Sequence, residues 1–383
     1  MVDFVRIGAG DDAVATMDGM SPRRVLAPRL IAWSSALLGV MMGCCGGPKD
    51  RGEAKPEPMV SWAEADRLFT GHEHWHGADS AYSVDLGGER ILWLFGDSFV
   101  GPRSAADRSG VPMVRNSIAI QHGRDPSTAS LEPIVGDGPP RAFFGDGEEP
   151  WLWPGPGVRV GDVLLLGFMR VAPSEGGLGF VTVGSEVLRI DGPDDAPEHW
   201  VPRAVALPPA PASVQLGAGA WMQDGSWLYA FAPVEPGNHD VYLARWSTRS
   251  VAEGRLDAVQ WWGGVWSDDP SAAAVVAPGV QSEFSVHREA DGRLWMVSVD
   301  GFGGTNIVRR TADAPEGPWS APTLLVRPSL SERPGILVYS AKAHPELSGS
   351  SPVITYCTNH QDFGTLVGDM GLYFPRFVRR RGS

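Results

Sequence analysis

From about residue 59 to the end, short hydrophobic runs alternate with polar positions and are broken every few residues by Gly, Pro, Asp or Asn. Helical periodicity is scarce. Residues 62–69 (WAEADRLF) are the one place where a short helix, or else an edge segment, is expected. Elsewhere the pattern predicts strands joined by turns. The runs recur as a unit: a first strand, a tight turn, a second strand rich in Leu, Trp and Tyr, a longer loop, and one or two outer strands. The paired inner strands fall at 78–101, 151–170, 215–232, 283–299 and 337–357, with outer strands at 116–122, 179–190, 241–247, 306–311 and 372–378. Five such units predict an all-β fold, a five-bladed β-propeller of four-stranded antiparallel blades, with residues 59–383 as one domain. A flat sandwich would not need a hairpin recurring at this spacing.

The first hairpin reads ADSAYSVDLGGERILWLFGDSFVG and carries an aspartate at each outer end, Asp79 and Asp97. Gly87-Gly88 supplies the positive φ of a tight turn. Register decides what the aspartates can do. A two- or four-residue loop pairs Asp79 with Gly96 and sends Asp97 to the other face. A three-residue loop pairs Leu86 with Arg90 and sets Asp79 opposite Asp97, at roughly 4.5–5.5 Å between Cβ atoms. Two carboxyls that close do not both ionise easily, so one pKa rises, as general acid-base chemistry requires. The plainer reading is two aspartates capping loop amides.

A propeller brings the ends of its inner hairpins to one mouth of a central channel. That collar would hold Asp79, Trp153, Glu283 and Lys342 from the first strands, and Asp97, Arg170, Asp300 and Asn359 from the second. Acids there need a partner or a task, so Asp79, Asp97 and Glu283 are the candidate catalytic residues. Arg115 and Asn116 (VRNS) are candidates for clamping a sugar or neutralising a carboxylate. Trp75 and Trp153 are candidates for stacking on sugar rings, against the commoner use of tryptophan in packing. Lys342 is the only lysine after residue 58, and His344 follows it closely enough to reach the same mouth. Asp300, in DGFGGTN, reads more readily as a turn residue than as a site residue. His74 and His76 share the face of a strand, but no third metal ligand accompanies them, so no metal site is assigned. No cofactor motif occurs, although a structural calcium ion is compatible with the sequence.

Composition adjusts the picture at its edges. The net charge of −13 argues against nucleic acid or an anionic membrane as a partner. Gly 48, Pro 33 and Trp 15 suit a turn-rich β protein that meets carbohydrate. Arg23, Arg24 and Arg29 precede an apolar stretch, 30–42, that ends at Gly43-Cys44. This reads as a lipoprotein signal, residues 1–43, with Cys44 the lipidated residue. Residues 44–58 read as a flexible tether. An exported envelope lipoprotein, or a secreted protein, is expected, monomeric and touching membrane only through its lipid.

The motifs LWLFGDSFVG, VRNSIAIQ, ADAPEGPWS, YSAKAHPEL and VITYCTNH resemble the five-bladed propeller glycoside hydrolases of the furanosidase kind. They are most similar to the bacterial endo-D-arabinanase family, catalogued as domain of unknown function 4185. The resemblance runs from about residue 71 to 378. It implies catalytic roles for Asp79 and Asp97 and a furanose-containing or related polysaccharide or oligosaccharide as substrate. One departure is WPGPG, where Pro156 stands in place of an expected aspartate. The alternative function is a non-catalytic glycan-binding propeller.

Overall fold

The computed structural model describes residues 59–382, apart from 103–106, 137, 177, 302–303 and 350–351. The signal, Cys44 and the tether lie outside the described residues.

The described chain is all-β, with every sheet antiparallel and only short helices. Sheet one joins Tyr82–Gly87, Arg90–Phe95, Ser117–His122 and Ser130–Ile134 in order. Sheet two joins Trp151–Val160, Val163–Pro173, Phe180–Asp191 and Arg203–Val205. Sheet three begins with Ala220–Asp224, Trp227–Pro233 and Val241–Ser247. It departs from the expected four strands, because residues 260–277 add a small hairpin and a further strand to its outer edge, making six. Sheet four joins Ser285–Arg288, Leu294–Val299, Ile307–Ala312 and Thr323–Val326. Sheet five joins Ile336–Ala343, Ile354–His360 and Arg376–Arg380, and its outermost strand is Met59–Ser61 from the other end of the domain. That closure by the first strand was not legible in three residues. A sixth sheet of three short strands, Trp75–Ala78, Ser98–Val100 and Met113–Val114, extends the first hairpin.

The first strand of each sheet from one to four touches the first strand of the next. The ring closes where the Ser340 hydroxyl donates to the Ser80 carbonyl at 2.6 Å. The arrangement is β-propeller-like, with inner strands around one axis. Hydrophobic residues fill the seams between successive sheets. In the segment 62–69 the apolar positions Trp62, Ala65, Leu68 and Phe69 recur at helical spacing, and all four are buried. The helix Ala63–Asp66 and the 3₁₀ turn Arg67–Phe69 thus drive Phe69 into the seam between sheets one and five. There it meets Trp93 edge-on at 4.9 Å and stacks on Phe377 at 5.2 Å.

Near the axis the strands approach too closely for side chains. A Cβ on Gly155 would lie 2.0 Å from the Gly217 carbonyl oxygen, and one on Gly217 would lie 2.3 Å from that of Phe168. The clashing atoms are backbone and have nowhere to go. Gly155→Ala is therefore expected to destabilise the domain by about 1–3 kcal/mol or more, read as a lowered melting temperature with an unchanged far-UV spectrum. An unaltered melting temperature would show that the inner strands can move apart.

Candidate active site

The first hairpin sets the site. Its ladder pairs Tyr82 with Leu94 and Asp85 with Ile91, the register that a three-residue loop would give, although a bulge at Leu86 lets Gly87 pair with Arg90. Beyond the ladder, Ala78 pairs with Ser98, so Asp79 and Asp97 occupy facing positions. Between them the chain is bent. Ser80 and Ala81 have φ of 63° and 53°, and the Asp79 carbonyl accepts from the amides of Ala81 at 2.8 Å and Gly96 at 3.2 Å. Two successive left-handed non-glycine residues are costly and must be held by their surroundings.

The glycine of Gly96-Asp97-Ser98 has a specific reason. A Cβ at Gly96 would lie 2.4 Å from Oδ1 of Asp79, so only glycine leaves the carboxyl its place. Ser98 locks the turn, with its hydroxyl 2.7 Å from the Gly96 carbonyl and 2.7 Å from the Ser117 hydroxyl.

Asp79 Oδ2 accepts hydrogen bonds from the phenols of Tyr339 at 2.8 Å and Tyr373 at 3.3 Å. Burial is the main cause that pushes its pKa up to about 8; the charges of Asp97 and Glu283 add to it, and the two phenols oppose it. Asp97 is held differently. Its Oδ2 lies 3.3 Å from Arg115 Nη1, and its Oδ1 accepts from the Trp153 indole at 3.0 Å. Burial raises its pKa as well, against Arg115 and Trp153. Asp97 faces a cation, whereas Asp79 faces phenols and other acids, so the neighbouring charges push the two in opposite directions: Arg115 lowers Asp97, and Asp97 and Glu283 raise Asp79. Arg115 is itself placed over the Trp151 ring at 4.0 Å.

Glu283 is fixed from sheets three and five. It forms a parallel bridge with Gly219, and its Oε1 lies 3.3 Å from Lys342 Nζ and 3.1 Å from the Ser340 hydroxyl. Lys342 is 2% exposed, donates also to the carbonyl and hydroxyl of Ser340, and sits 4.1 Å from the centre of the Tyr82 ring. The Tyr82 phenol donates to the Gly219 carbonyl at 3.1 Å.

The expected collar is thus partly assembled. Asp79, Asp97, Glu283, Arg115, Trp153 and Lys342 come together. Five other candidates are engaged elsewhere. Trp75 is 1% exposed and lies in the core against Phe95, with its indole on the Ser117 hydroxyl. Asn116 bonds the backbone of Phe144 and Leu152 with both ends of its amide. Arg170 is exposed and 3.9 Å from Glu186. Asp300 is an exposed turn residue. Asn359 accepts from the His360 amide. His344 is buried between the hydroxyls of Ser83 and Thr355. Burial, with Lys342 and His287, holds its pKa well below the usual histidine value. Pro156, buried in a bulged stretch of sheet two, brings no acid to the site. Ser340, at the start of the same strand as Lys342, joins the collar as expected, whereas Tyr339 and Tyr373 are contacts that the sequence reading lacked. Among the described residues no group of three or more His, Cys, Asp and Glu is placed to hold a metal ion.

The model of the family described as Domain of unknown function (DUF5005) matches residues 63–382. That is not the family expected from the motifs, the domain of unknown function 4185. No curated protein matches the chain. Among solved structures, a Bacteroides ovatus protein provisionally called a hydrolase superposes with a TM-score of 0.65 at 19% identity, over 84% of this chain and 89% of that one. The catalytic domain of the Coprinopsis cinerea GH62 α-L-arabinofuranosidase gives 0.49 at 10% identity, over 82% and 95%. The endo-arabinase of Bacteroides thetaiotaomicron gives 0.43 at 16% identity, over 76% and 92%. The first likeness establishes a shared fold and nothing more, and the other two are too distant to argue from.

The raised Asp79 pKa has a consequence for stability. The folded state keeps a proton that the unfolded chain releases near pH 4, so stability falls as pH rises from about 4 to 8, by at most about 1.4 kcal/mol per unit. Asp79→Asn removes that loss. Its melting temperature is expected to match wild type near pH 4 and to exceed it by several degrees at pH 8. Asp97 is shifted in the same direction, so part of the slope survives in the variant. A gap that does not widen with pH would contradict a retained proton on Asp79.

Proposed function

The chain belongs to the DUF5005 family, and from the acids gathered at its site we propose that it is an exported glycoside hydrolase, a propeller of five blades. The observation that carries this reading is a pair of facing carboxyls held differently: Asp79 on two phenols, with its pKa pushed up to about 8 by burial first, and Asp97 on Arg115 and Trp153. Glycoside hydrolysis uses such a pair, one acid to protonate the leaving oxygen and one carboxylate to attack or to activate water. Asp79 is the proton donor in this reading. Asp97, oriented by Arg115 and Trp153, is the base or nucleophile. Glu283, held by Lys342, is a third acid whose negative charge helps to keep the proton on Asp79. Arg115 and the half-buried Trp153 border the position a sugar would take. The substrate proposed is a furanose-containing or related polysaccharide of arabinan type, reached by a protein anchored through Cys44. No metal or cofactor is invoked.

The test is reducing-sugar release from a panel that includes arabinan and arabinogalactan. Wild type is expected to release sugar, with a basic limb of kcat/KM near pH 8. Asp79→Asn and Asp97→Asn are each expected to lose about 100-fold or more. Undiminished release by either variant would remove that residue from the chemistry. Binding by calorimetry without release from any glycan would replace the proposal with a glycan-binding propeller. For the anchor, Cys44→Ser is expected to move the protein from the membrane fraction to the soluble one.

A further inference from the structure

Arg108 is 1% exposed, and among the described residues its guanidinium forms no ion pair. It is occupied instead by backbone. Nε donates to the His76 carbonyl at 2.7 Å, Nη1 to those of Leu366 at 2.9 Å and Asp369 at 3.1 Å, and Nη2 to that of Leu372 at 2.5 Å. The rings of Phe99 and Phe374 flank the charge at 5.4 and 5.2 Å. A buried arginine that forms no ion pair is expensive, and its pKa is lowered to about 10 by burial, with Tyr373 and Asp369 opposing. Something must justify the position, and the contacts say what it does.

His76 lies three residues before Asp79, and Leu372 immediately precedes Tyr373. The same guanidinium therefore grips the strand that leads into the carboxyl and the loop that leads into one of its two phenol donors. Tyr373 stands at φ 61°, a conformation that the loop must impose, and its amide bonds the Thr358 carbonyl at 3.1 Å. Strand and loop are in backbone contact. Gly77, at φ 125°, could carry no Cβ without meeting the Tyr373 carbonyl oxygen at 2.4 Å and Arg108 Nη2 at 3.0 Å. We propose that Arg108 is a positioning residue for the site: it clamps these two segments together and so holds the Tyr373 hydroxyl on Asp79. Only a planar fork with donors in several directions serves four carbonyls at once; a lysine ammonium offers the same charge from one point.

This proposal rests on Asp79 as the proton donor, but its test needs no substrate. The groups that face Asp79 are Asp97, Glu283, Tyr339 and Tyr373, and those near Arg108 are Tyr373 and Asp369, the latter also bound to Arg333. The Asp79 carboxyl is titrated by ¹³C NMR in wild type, Arg108→Lys, Tyr373→Phe and the double variant, with Asp79→Asn to assign the resonance. Arg108→Lys keeps the charge and removes the fork. Loss of the phenol donor favours the neutral acid, so Tyr373→Phe is expected to raise the midpoint by about half to one unit. Arg108→Lys is expected to raise it alike, and the double variant no further. A midpoint in Arg108→Lys that is unchanged or lower, or two shifts that simply add, would overturn the proposal. If Arg108→Lys does not fold, Phe374→Leu loosens the same guanidinium from one side. A smaller upward shift is then expected, and an unchanged midpoint overturns it. An inactive wild type that shows these shifts would sink the hydrolase reading and leave the clamp in place.

Discussion

Everything about this site depends on keeping one carboxyl among other acids without giving it a cation. Asp79 faces Asp97 and Glu283, and its hydrogen-bond donors are two neutral phenols. Each neighbouring acid has its own cation: Arg115 for Asp97, and Lys342 for Glu283. The charges are therefore divided unequally. Two acids each lie beside a basic partner, and the third, without one, has its pKa pushed up to about 8, by burial first and then by the charges of Asp97 and Glu283. The asymmetry lies in the partners and not in the acids.

The fold makes that division possible by drawing each component from a different place. Asp79 and Asp97 come from the two arms of one hairpin, Trp153 from sheet two, Glu283 from the entry to sheet four, and Tyr339 and Lys342 from sheet five. Side chains so distant in sequence meet only if the inner strands converge on one axis. The convergence is tight enough to require glycine, as at Gly155 and Gly217 between sheets two and three. At the site itself the same demand recurs. Gly96 makes room for the Asp79 carboxyl, and Gly77 lets the loop before Tyr373 lie against the strand before Asp79. The glycines that position the acids and those that close the ring thus answer one constraint, the near contact of backbone with its neighbours.

Much of this was legible in the sequence where the information is local. The hairpin at 78–101 announced both aspartates, but its turn allowed two registers; the folded ladder has the one that sets them face to face, with a bulge at Leu86. Glu283 and Lys342 were each placed at the collar, but not as partners, because pairing across sheets has no local trace. Tyr339 and Tyr373 were missed for the same reason, lying 260 and 294 residues from Asp79. Arg115 and Asn116 show the limit from another side. They are adjacent in a motif, and adjacent residues in extended chain point to opposite faces. Arg115 reaches Asp97, whereas Asn116 turns inward to tie the backbone at 144 and 152. Trp75 belongs to the core because the strand before Asp79 is enclosed on both faces, all four of its residues being buried.

The central claim is that Asp79 carries a proton at neutral pH because of where it sits. Infrared difference spectroscopy of wild type against Asp79→Asn tests it most directly, through the carbonyl stretch of a protonated carboxylic acid. A band is expected in wild type at pH 7, absent from the variant, and lost from wild type as pH passes about 8. A wild type whose difference band has already vanished by pH 5 would mean that Asp79 ionises like an ordinary aspartate, and the division of charge described above would be wrong.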